Sequence, residues 1–166
     1  GLEFNSQLRL GTFSDGLEKW SLRAAASIAS GRLTEAGKSG KSQLNTVDPA
    51  KAVVGVVYSA DKWGFDVVGT AVRHQRLLSN PAAFRPRGYG LLDVHAHYEP
   101  GDQITFTLAL NNLTDRKYWD WGNLNGGMLG NLVAGNGLND AGAGGIPADR
   151  LTMAGRTISA AVQFEF

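Results

Sequence analysis

Three histidines are the side chains of this sequence best suited to chemistry, because a neutral imidazole nitrogen binds iron and other metals. His95 and His97 stand two residues apart with Asp93, in a segment whose alternate positions are apolar. Residues with this spacing share one face of a strand, so all three are predicted to line a polar, wetted face, and we assign no metal site. His74 follows Arg73 directly. Two interpretations remain for that pair: the side chains contact an anionic ligand, or they form a basic rim that is only solvated.

Three aromatic residues form the second candidate group. Tyr118, Trp119 and Trp121 closely follow a predicted strand. Their flat rings present an apolar surface on which a flat ligand can stack. Aromatic rings also gather at the surface of a membrane, as an interfacial girdle. The sequence leaves ligand contact and the girdle as alternatives for this group.

Composition argues against several classes of function. Cysteine is absent, which removes thiol catalysis and thiolate metal clusters. No Ser, His and Asp set and no carboxylate pair has the spacing of a catalytic site, so we predict no enzymatic activity and no catalytic residue. The 16 Lys and Arg residues nearly balance 15 Asp and Glu residues, without a run of like charge. No nucleic-acid partner is therefore expected.

The lengths of the apolar runs point toward strands. The chain has 166 residues, of which 43% are hydrophobic and 19% charged, as expected of one folding domain. No apolar run reaches the roughly 18 to 20 residues of a membrane-spanning helix. The runs Ala52 to Ala60 and Ile104 to Leu110 come close to the roughly 9 to 11 residues of a barrel strand.

Alternation of apolar and polar residues predicts about seven long strands, although it is weaker in the second, third and fourth segments, which are rich in Ala, Val and Gly. The last segment places five apolar residues on one side: Ile158, Ala160, Val162, Phe164 and Phe166. The predicted strands are Gly1 to Thr12, Trp20 to Ser30, Lys51 to Tyr58, Trp63 to Gln75, Leu91 to Tyr98, Gln103 to Asn112 and Arg156 to Phe166. Helix is the alternative for the second segment, because three consecutive alanines favour it.

Short and long connections alternate along these strands. The short ones are Ser14 to Lys19, Ser59 to Lys62 and Glu99 to Asp102, and the long ones are Gly31 to Ala50, Arg76 to Gly88 and Leu113 to Ala154. In an antiparallel meander all short turns then lie at one end of the sheet, which is the layout of an outer-membrane barrel. In such a barrel the wet face with Asp93, His95 and His97 is predicted to point into the lumen. A secreted sandwich that binds glycans through its loop aromatics is the alternative fold and function.

Two motifs near the end of the chain carry a family resemblance. The run Asn112 to Trp119, Asn-Leu-Thr-Asp-Arg-Lys-Tyr-Trp, resembles the penultimate strand end of TonB-dependent outer-membrane receptors. Ala154-Gly155-Arg156 stands where these receptors carry Pro-Gly-Arg before a last strand with a terminal aromatic residue. Upstream segments look like the haem and haemoglobin receptor branch: Gly1 to Glu3, Ala24 to Gly31, Leu44 to Pro49 and Tyr58 to Trp63.

The resemblance implies an all-β fold, with this antiparallel meander as the C-terminal part of a 22-stranded transmembrane barrel. Residues 1–166 would supply wall and extracellular loops, without the plug and earlier strands. The implied function is active transport of haem, free or taken from a carrier protein, across the outer membrane of a Gram-negative bacterium. A ferric siderophore or another nutrient is the alternative cargo.

The resemblance also implies partners and roles. The partners are the rest of the barrel, the plug, the lipid bilayer and the TonB complex, which acts through the plug. Haem would be the transported ligand of the whole receptor, and this segment alone would bind no cofactor. Phe84-Arg85-Pro86 departs from the Phe-Arg-Ala-Pro motif near which haem receptors carry an iron-ligating His. Phe166 and the alternating apolar residues before it would be the signal that the assembly machinery reads.

Overall fold

Seven long antiparallel strands form the frame of the molecule. The computed structural model describes residues 1–34, 41–44, 47–75, 85–125, 138–139 and 146–166. Each strand pairs with its predecessor in chain order, so the sheet is a meander. The strands are β1 (Leu2–Arg9), β2 (Trp20–Ile28), β3 (Lys51–Ser59), β4 (Trp63–Val72), β5 (Tyr89–Gly101), β6 (Ile104–Asn111) and β7 (Thr157–Phe164).

Smaller elements lie in the connections. Two short strands, Arg32–Thr34 and Lys41–Gln43, pair antiparallel between β2 and β3. Leu138–Asn139 and Ile146–Pro147 form a two-residue parallel pair after β6. Within the described ranges the helices are Leu10–Thr12, Asp15–Leu17 and Ala148–Leu151, all of the 3-10 type, and the α-helix α1 (Trp121–Asn125). No helix in the described ranges is long and apolar enough to cross a membrane.

Strand register builds two continuous faces, because directly paired residues point to the same side of a sheet. One face is apolar, and a row across β4 to β7 consists of Val67, Val94, Leu110 and Ile158. The opposite face carries the polar row Asp66, His95, Ala109 and Ser159. The predicted meander of seven strands is confirmed, and the predicted alternation places its apolar residues on one face.

The residues of the apolar face are exposed or half-buried along the sheet. Leu2 is 75% exposed, Ile158 70% and Phe164 57%. Among the described residues, the buried hydrophobic side chains are Trp121 and Leu124, both in α1. A sandwich would cover this face with a second sheet. The sandwich alternative is therefore wrong, since the seven strands form one sheet with its apolar side uncovered.

Some boundaries differ from the alternation pattern. The first strand ends at Arg9, because the chain turns into a 3-10 helix at Leu10. β5 extends through Pro100 to Gly101, and a register shift between Tyr98 and Gly101 marks an irregular end. The alanine-rich β2 is a strand rather than a helix, because it pairs with β1 on one side and β3 on the other. Pairing on both sides outweighs the helix propensity of its alanines.

Aromatic residues concentrate at the end of the sheet that carries the short turns. Trp20, Tyr58, Trp63 and Phe65 occupy neighbouring positions of the apolar face there. The rings of Trp20 and Tyr58 lie 4.9 Å apart between centroids, and those of Tyr58 and Trp63 lie 4.7 Å apart. Contacts of this kind add to the stability that burial provides. This end therefore carries a band of packed aromatic rings on the apolar face.

The two faces lead to a prediction about charge. Leu108 lies on the apolar face opposite Ala160, and its neighbour Thr107 lies on the polar face opposite Ala161. We expect Leu108→Arg to lower the free energy of unfolding by about 2 to 4 kcal/mol, as for an arginine near a bilayer midplane. Thr107→Arg is the matched control and should cost little. Unfolding in lipid vesicles measures both, and equal costs would contradict a lipid-facing apolar side.

Candidate functional site

A chain of polar contacts crosses the polar face from β2 to β7. Arg23 reaches over Gly55 of β3, and its guanidinium lies 2.9 Å from the Asp66 carboxylate. The other oxygen of that carboxylate lies 3.2 Å from His95 Nδ1, and His95 Nε2 lies 3.1 Å from Asn111 Oδ1. Asn111 Nδ2 donates to the Thr157 hydroxyl at 3.5 Å. We call this set the polar ladder.

The structure places His95 inside the polar ladder and His97 on the same face, outside the ladder. His95 is half-buried inside the ladder, with both ring nitrogens near oxygen atoms. His97 lies on the same face, and its ring occupies space next to Gly64 on β4. A Cβ atom at Gly64 would lie 2.6 Å from His97 Cε1 and 2.8 Å from the Tyr58 carbonyl oxygen. Glycine is therefore required at this position if the imidazole is to stay in place.

Asp93 belongs to the same face but has a different partner. Its Oδ1 accepts a hydrogen bond of 2.7 Å from the backbone N–H of Asn112, just after β6. Asp93 is thus engaged with the chain's own backbone at the loop end of the sheet. In the described part of the chain, no group of three or more His, Asp and Glu side chains converges as a metal site would require.

A cavity of about 280 Å³ lies at the end of the sheet that carries the long connections. We call it the loop-end cavity. Its lining combines cationic, acidic and aromatic side chains: Arg73, Arg87, Tyr89, Trp119, Asp120 and Trp121. The strand ends bring these residues together, because Val72 pairs with Tyr89 directly. Guanidinium groups beside indole rings can hold a ligand that is both anionic and flat.

Tyr118 stands beside this cavity. Its ring lies 4.5 Å from the Tyr89 ring between centroids, at 42° between planes. Burial raises the pKa of the Tyr118 phenol above its usual value, and the carboxylates of Asp93 and Asp120 raise it further. Tyr118 therefore remains a neutral phenol across the physiological pH range. Trp119 carries the Lys117 ammonium 5.7 Å from its ring centroid, within the range of a cation–π contact.

The structure brings together only part of the predicted ligand-contact group. Arg73, Trp119 and Trp121 line the loop-end cavity, and Tyr118 joins it through Tyr89. His74 instead lines an adjoining cavity of about 410 Å³, which shares Arg87 with the loop-end cavity. His74 and Arg73 also line a further cavity of about 460 Å³. At this end the aromatic residues thus turn toward a cavity.

Sequence reasoning missed three of these cavity residues: Arg87, Tyr89 and Asp120. Arg87 lies in a connection between strands, where no alternation of apolar and polar residues predicts which way its side chain points. Tyr89 begins a strand that extends two residues beyond the predicted start at Leu91. Its alternation with Leu91, Asp93 and His95 was the signal that could have placed it on the polar face.

These observations define an all-β wall with one apolar face and one polar face. The family model "TonB dependent receptor-like, beta-barrel" matches residues 1–113. The chain belongs to the family of TonB-dependent receptors, as a segment of their β-barrel. The predicted family is thereby confirmed, and it is a family of transport receptors.

Relatives and a solved structure agree with this assignment. The chain is 24% identical to "Hemoglobin-binding protein A" and 26% identical to "Hemoglobin-haptoglobin-binding protein A", both of Haemophilus influenzae, over its whole length. It spans only 17% and 16% of the lengths of those two proteins. It also resembles "Copper transporter OprC" in fold, with a TM-score of 0.73 over 99% of this chain and 22% of that one, at 19% identity.

The contact between Gly64 and His97 leads to a second prediction. We expect Gly64→Ala to lower the free energy of unfolding by about 1 to 3 kcal/mol, because the added methyl group must displace the imidazole or the strand backbone. Gly69→Ala on the same strand is the matched control, since the nearest atom to its Cβ would be the Val54 carbonyl oxygen at 3.8 Å. Denaturant unfolding measures both, and equal losses would contradict the close approach.

Proposed function

We propose that the chain forms wall and mouth of an outer-membrane receptor that takes up haem, either free or from a carrier protein. The observation that carries the proposal is the loop-end cavity, where Arg73 and Arg87 stand with Trp119 and Trp121. Haem is a flat apolar ring with propionate carboxylates at one edge. Indole rings match the ring surface and guanidinium groups match the carboxylates.

The names of the relatives support the same cargo. Two proteins that match the whole chain are named for haemoglobin binding. Haemoglobin would then be the kind of carrier from which the receptor takes haem. The likeness to a copper transporter extends to fold alone, so a different nutrient, such as a ferric siderophore, is the competing cargo.

We propose that residues 1–166 act as part of a longer receptor. The two edge strands, β1 and β7, each pair on one side only within the sheet. An unpaired strand edge is strongly unfavourable in hydrocarbon, so further strands would complete the barrel between β7 and β1. A plug inside that 22-stranded barrel would receive energy from the TonB complex. The polar ladder would face the plug, and the apolar face would contact lipid of the Gram-negative outer membrane.

Haem titration of the complete receptor tests the cargo. We expect saturable binding, seen as a change in the Soret absorbance. Trp119→Ala and Arg87→Ala should each raise the Kd for haem about tenfold, the effect of losing one stacked ring or one charge-assisted contact.

Matched controls lie at the opposite end of the sheet. Trp63→Ala and Arg9→Ala remove the same residue types from the short-turn end and should leave the haem Kd unchanged. Saturable binding of a ferric siderophore with no binding of haem would overturn the haem proposal and leave the family assignment intact. Equal effects of Trp119→Ala and Trp63→Ala would remove the loop-end cavity from the ligand path.

We also propose that the last strand directs assembly. Ile158, Ala160, Val162 and Phe164 lie on the apolar face opposite residues of β6. Phe166 follows the strand and is fully exposed, while the backbone N–H of Glu165 still donates to the Gln103 carbonyl oxygen at 3.0 Å. An apolar ring at the end of a barrel strand anchors it at the membrane interface.

Removal of Phe166 tests the assembly role. We expect deletion of Phe166 from the complete receptor to lower the amount of folded, heat-modifiable protein in the outer membrane. Phe13→Ala is the control, because Phe13 is also a highly exposed phenylalanine but lies between β1 and β2. Wild-type amounts of folded receptor without Phe166 would contradict the assembly role.

A further inference from the structure

Three polar residues at the loop end of β5 and β6 hold the two ends of the last long connection together. They are Asp93, Asn112 and Asp115, and we call them the loop brace. Asn112 is only 3% exposed, although it is polar. A buried amide group destabilises a protein unless its hydrogen-bonding atoms have partners.

Every hydrogen-bonding atom of the Asn112 side chain has a partner. Its Oδ1 accepts from the backbone N–H of Arg116 at 2.8 Å. Its Nδ2 donates to the Arg116 carbonyl oxygen at 2.9 Å and to the Ala154 carbonyl oxygen at 3.3 Å. One side chain thus holds both backbone groups of Arg116 and links them to the segment before β7.

Backbone conformation selects the residue types of the brace. Asn112 has φ of 50° and Asp115 has φ of 52°, both in the left-handed region. Asparagine and aspartate enter that region more readily than other residues with side chains. The Asp93 carboxylate accepts from the backbone N–H of Asn112 at 2.7 Å, which secures the chain where it leaves the sheet.

Asp115 secures the other end of the connection. Its Oδ1 accepts from the backbone N–H of Arg156 at 2.8 Å, directly before β7. A Cβ atom at Gly155 would lie 2.6 Å from that oxygen, so the contact requires glycine there. The segment after β6 and the segment before β7 therefore form one hydrogen-bonded unit.

The loop brace lies next to the aromatic residues of the loop-end cavity. Two residues after Arg116, the carbonyl oxygen of Tyr118 accepts from the backbone N–H of Met153 at 3.0 Å. The Tyr118 ring contacts Tyr89, which lines the cavity. Trp119 and Trp121 follow, and Trp121 is only 3% exposed. Any shift of Arg116 would therefore move the ring-bearing segment relative to the wall.

We infer that Asn112, supported by Asp93 and Asp115, is a positioning residue that sets the affinity of the loop-end cavity for its ligand. This inference rests on the proposed function, because it names residues that act on the same site without lining it. The sequence motif from Asn112 to Trp119 thereby has two parts. The loop brace lies at its start, and at its end are Trp119, which lines the loop-end cavity, and Tyr118 beside it.

The test uses Asn112→Gly in the complete receptor, because glycine removes the side chain and tolerates a φ of 50°. Asn111→Ala is the matched control, because Asn111 is the adjacent asparagine and belongs to the polar ladder rather than to the loop brace. Hydrogen exchange is followed at the amides of Met153 and Leu124, whose acceptors are the Tyr118 and Asp120 carbonyl oxygens and do not involve Asn112. The haem Kd is measured on the same folded samples.

We expect Asn112→Gly to speed exchange at both amides and to raise the haem Kd about tenfold, the factor expected for a misplaced contact group. Asp93→Ala should act in the same direction, and Asp93→Asn should recover most of the affinity, because an amide oxygen can still accept from Asn112. Asn111→Ala should leave both measurements at wild-type values.

Several outcomes would overturn the inference. Wild-type exchange and wild-type affinity in folded Asn112→Gly would do so directly. If Asn112→Gly does not fold, the Asp93→Ala variant tests the inference instead. A lower amount of folded Asp93→Ala receptor, with unchanged hydrogen exchange and unchanged haem Kd, would show that the loop brace has a merely structural role. If the wild-type receptor binds no haem, the proposed function fails, while exchange at Met153 and Leu124 still decides whether the brace positions the ring-bearing segment.

Discussion

Unbroken backbone hydrogen bonding from β1 to β7 is the constraint on which the other features depend. Because each strand pairs with its chain neighbour, the register sets which residues share a face. The apolar side chains pack against no second layer in the described chain, so the sheet gains its order from pairing and cross-strand contacts rather than from a core. The sheet therefore presents an apolar face on one side and a polar face on the other.

The two ends of the wall use aromatic residues differently. At the short-turn end, rings such as Trp20, Tyr58 and Trp63 pack side by side on the apolar face. At the loop end, Trp119 and Trp121 line a cavity with arginines. Rings packed on the apolar face and rings that line a cavity are therefore both present, at opposite ends of the same strands. Residues of the same type separate in space because Trp119 and Trp121 follow β6 in a connection, whereas Trp20, Tyr58 and Trp63 lie on strands of the sheet.

Polar residues on one strand also divide between two roles. Asp93 and His95 stand on the same face of β5, yet Asp93 holds the backbone of Asn112 while His95 joins Asp66 and Asn111 in the polar ladder. The first role orders the loop end, and the second links neighbouring strands of the wall. Glycines leave room for two further side chains, because a Cβ atom at Gly64 would lie 2.6 Å from His97 Cε1 and one at Gly155 would lie 2.6 Å from Asp115 Oδ1.

Sequence alone determined the strands, their order and their faces, because alternation with period two is a local property that survives without knowledge of neighbours. It also determined the family, through the motif after β6 and the last strand. Tertiary structure decided the partners: the Asn112 amide reaches Ala154 across 42 residues, and Arg23 reaches Asp66 across 43. Such contacts depend on the strand register and on the paths of the loops. Residues far apart in the chain set both of these together, so no local sequence pattern predicts them.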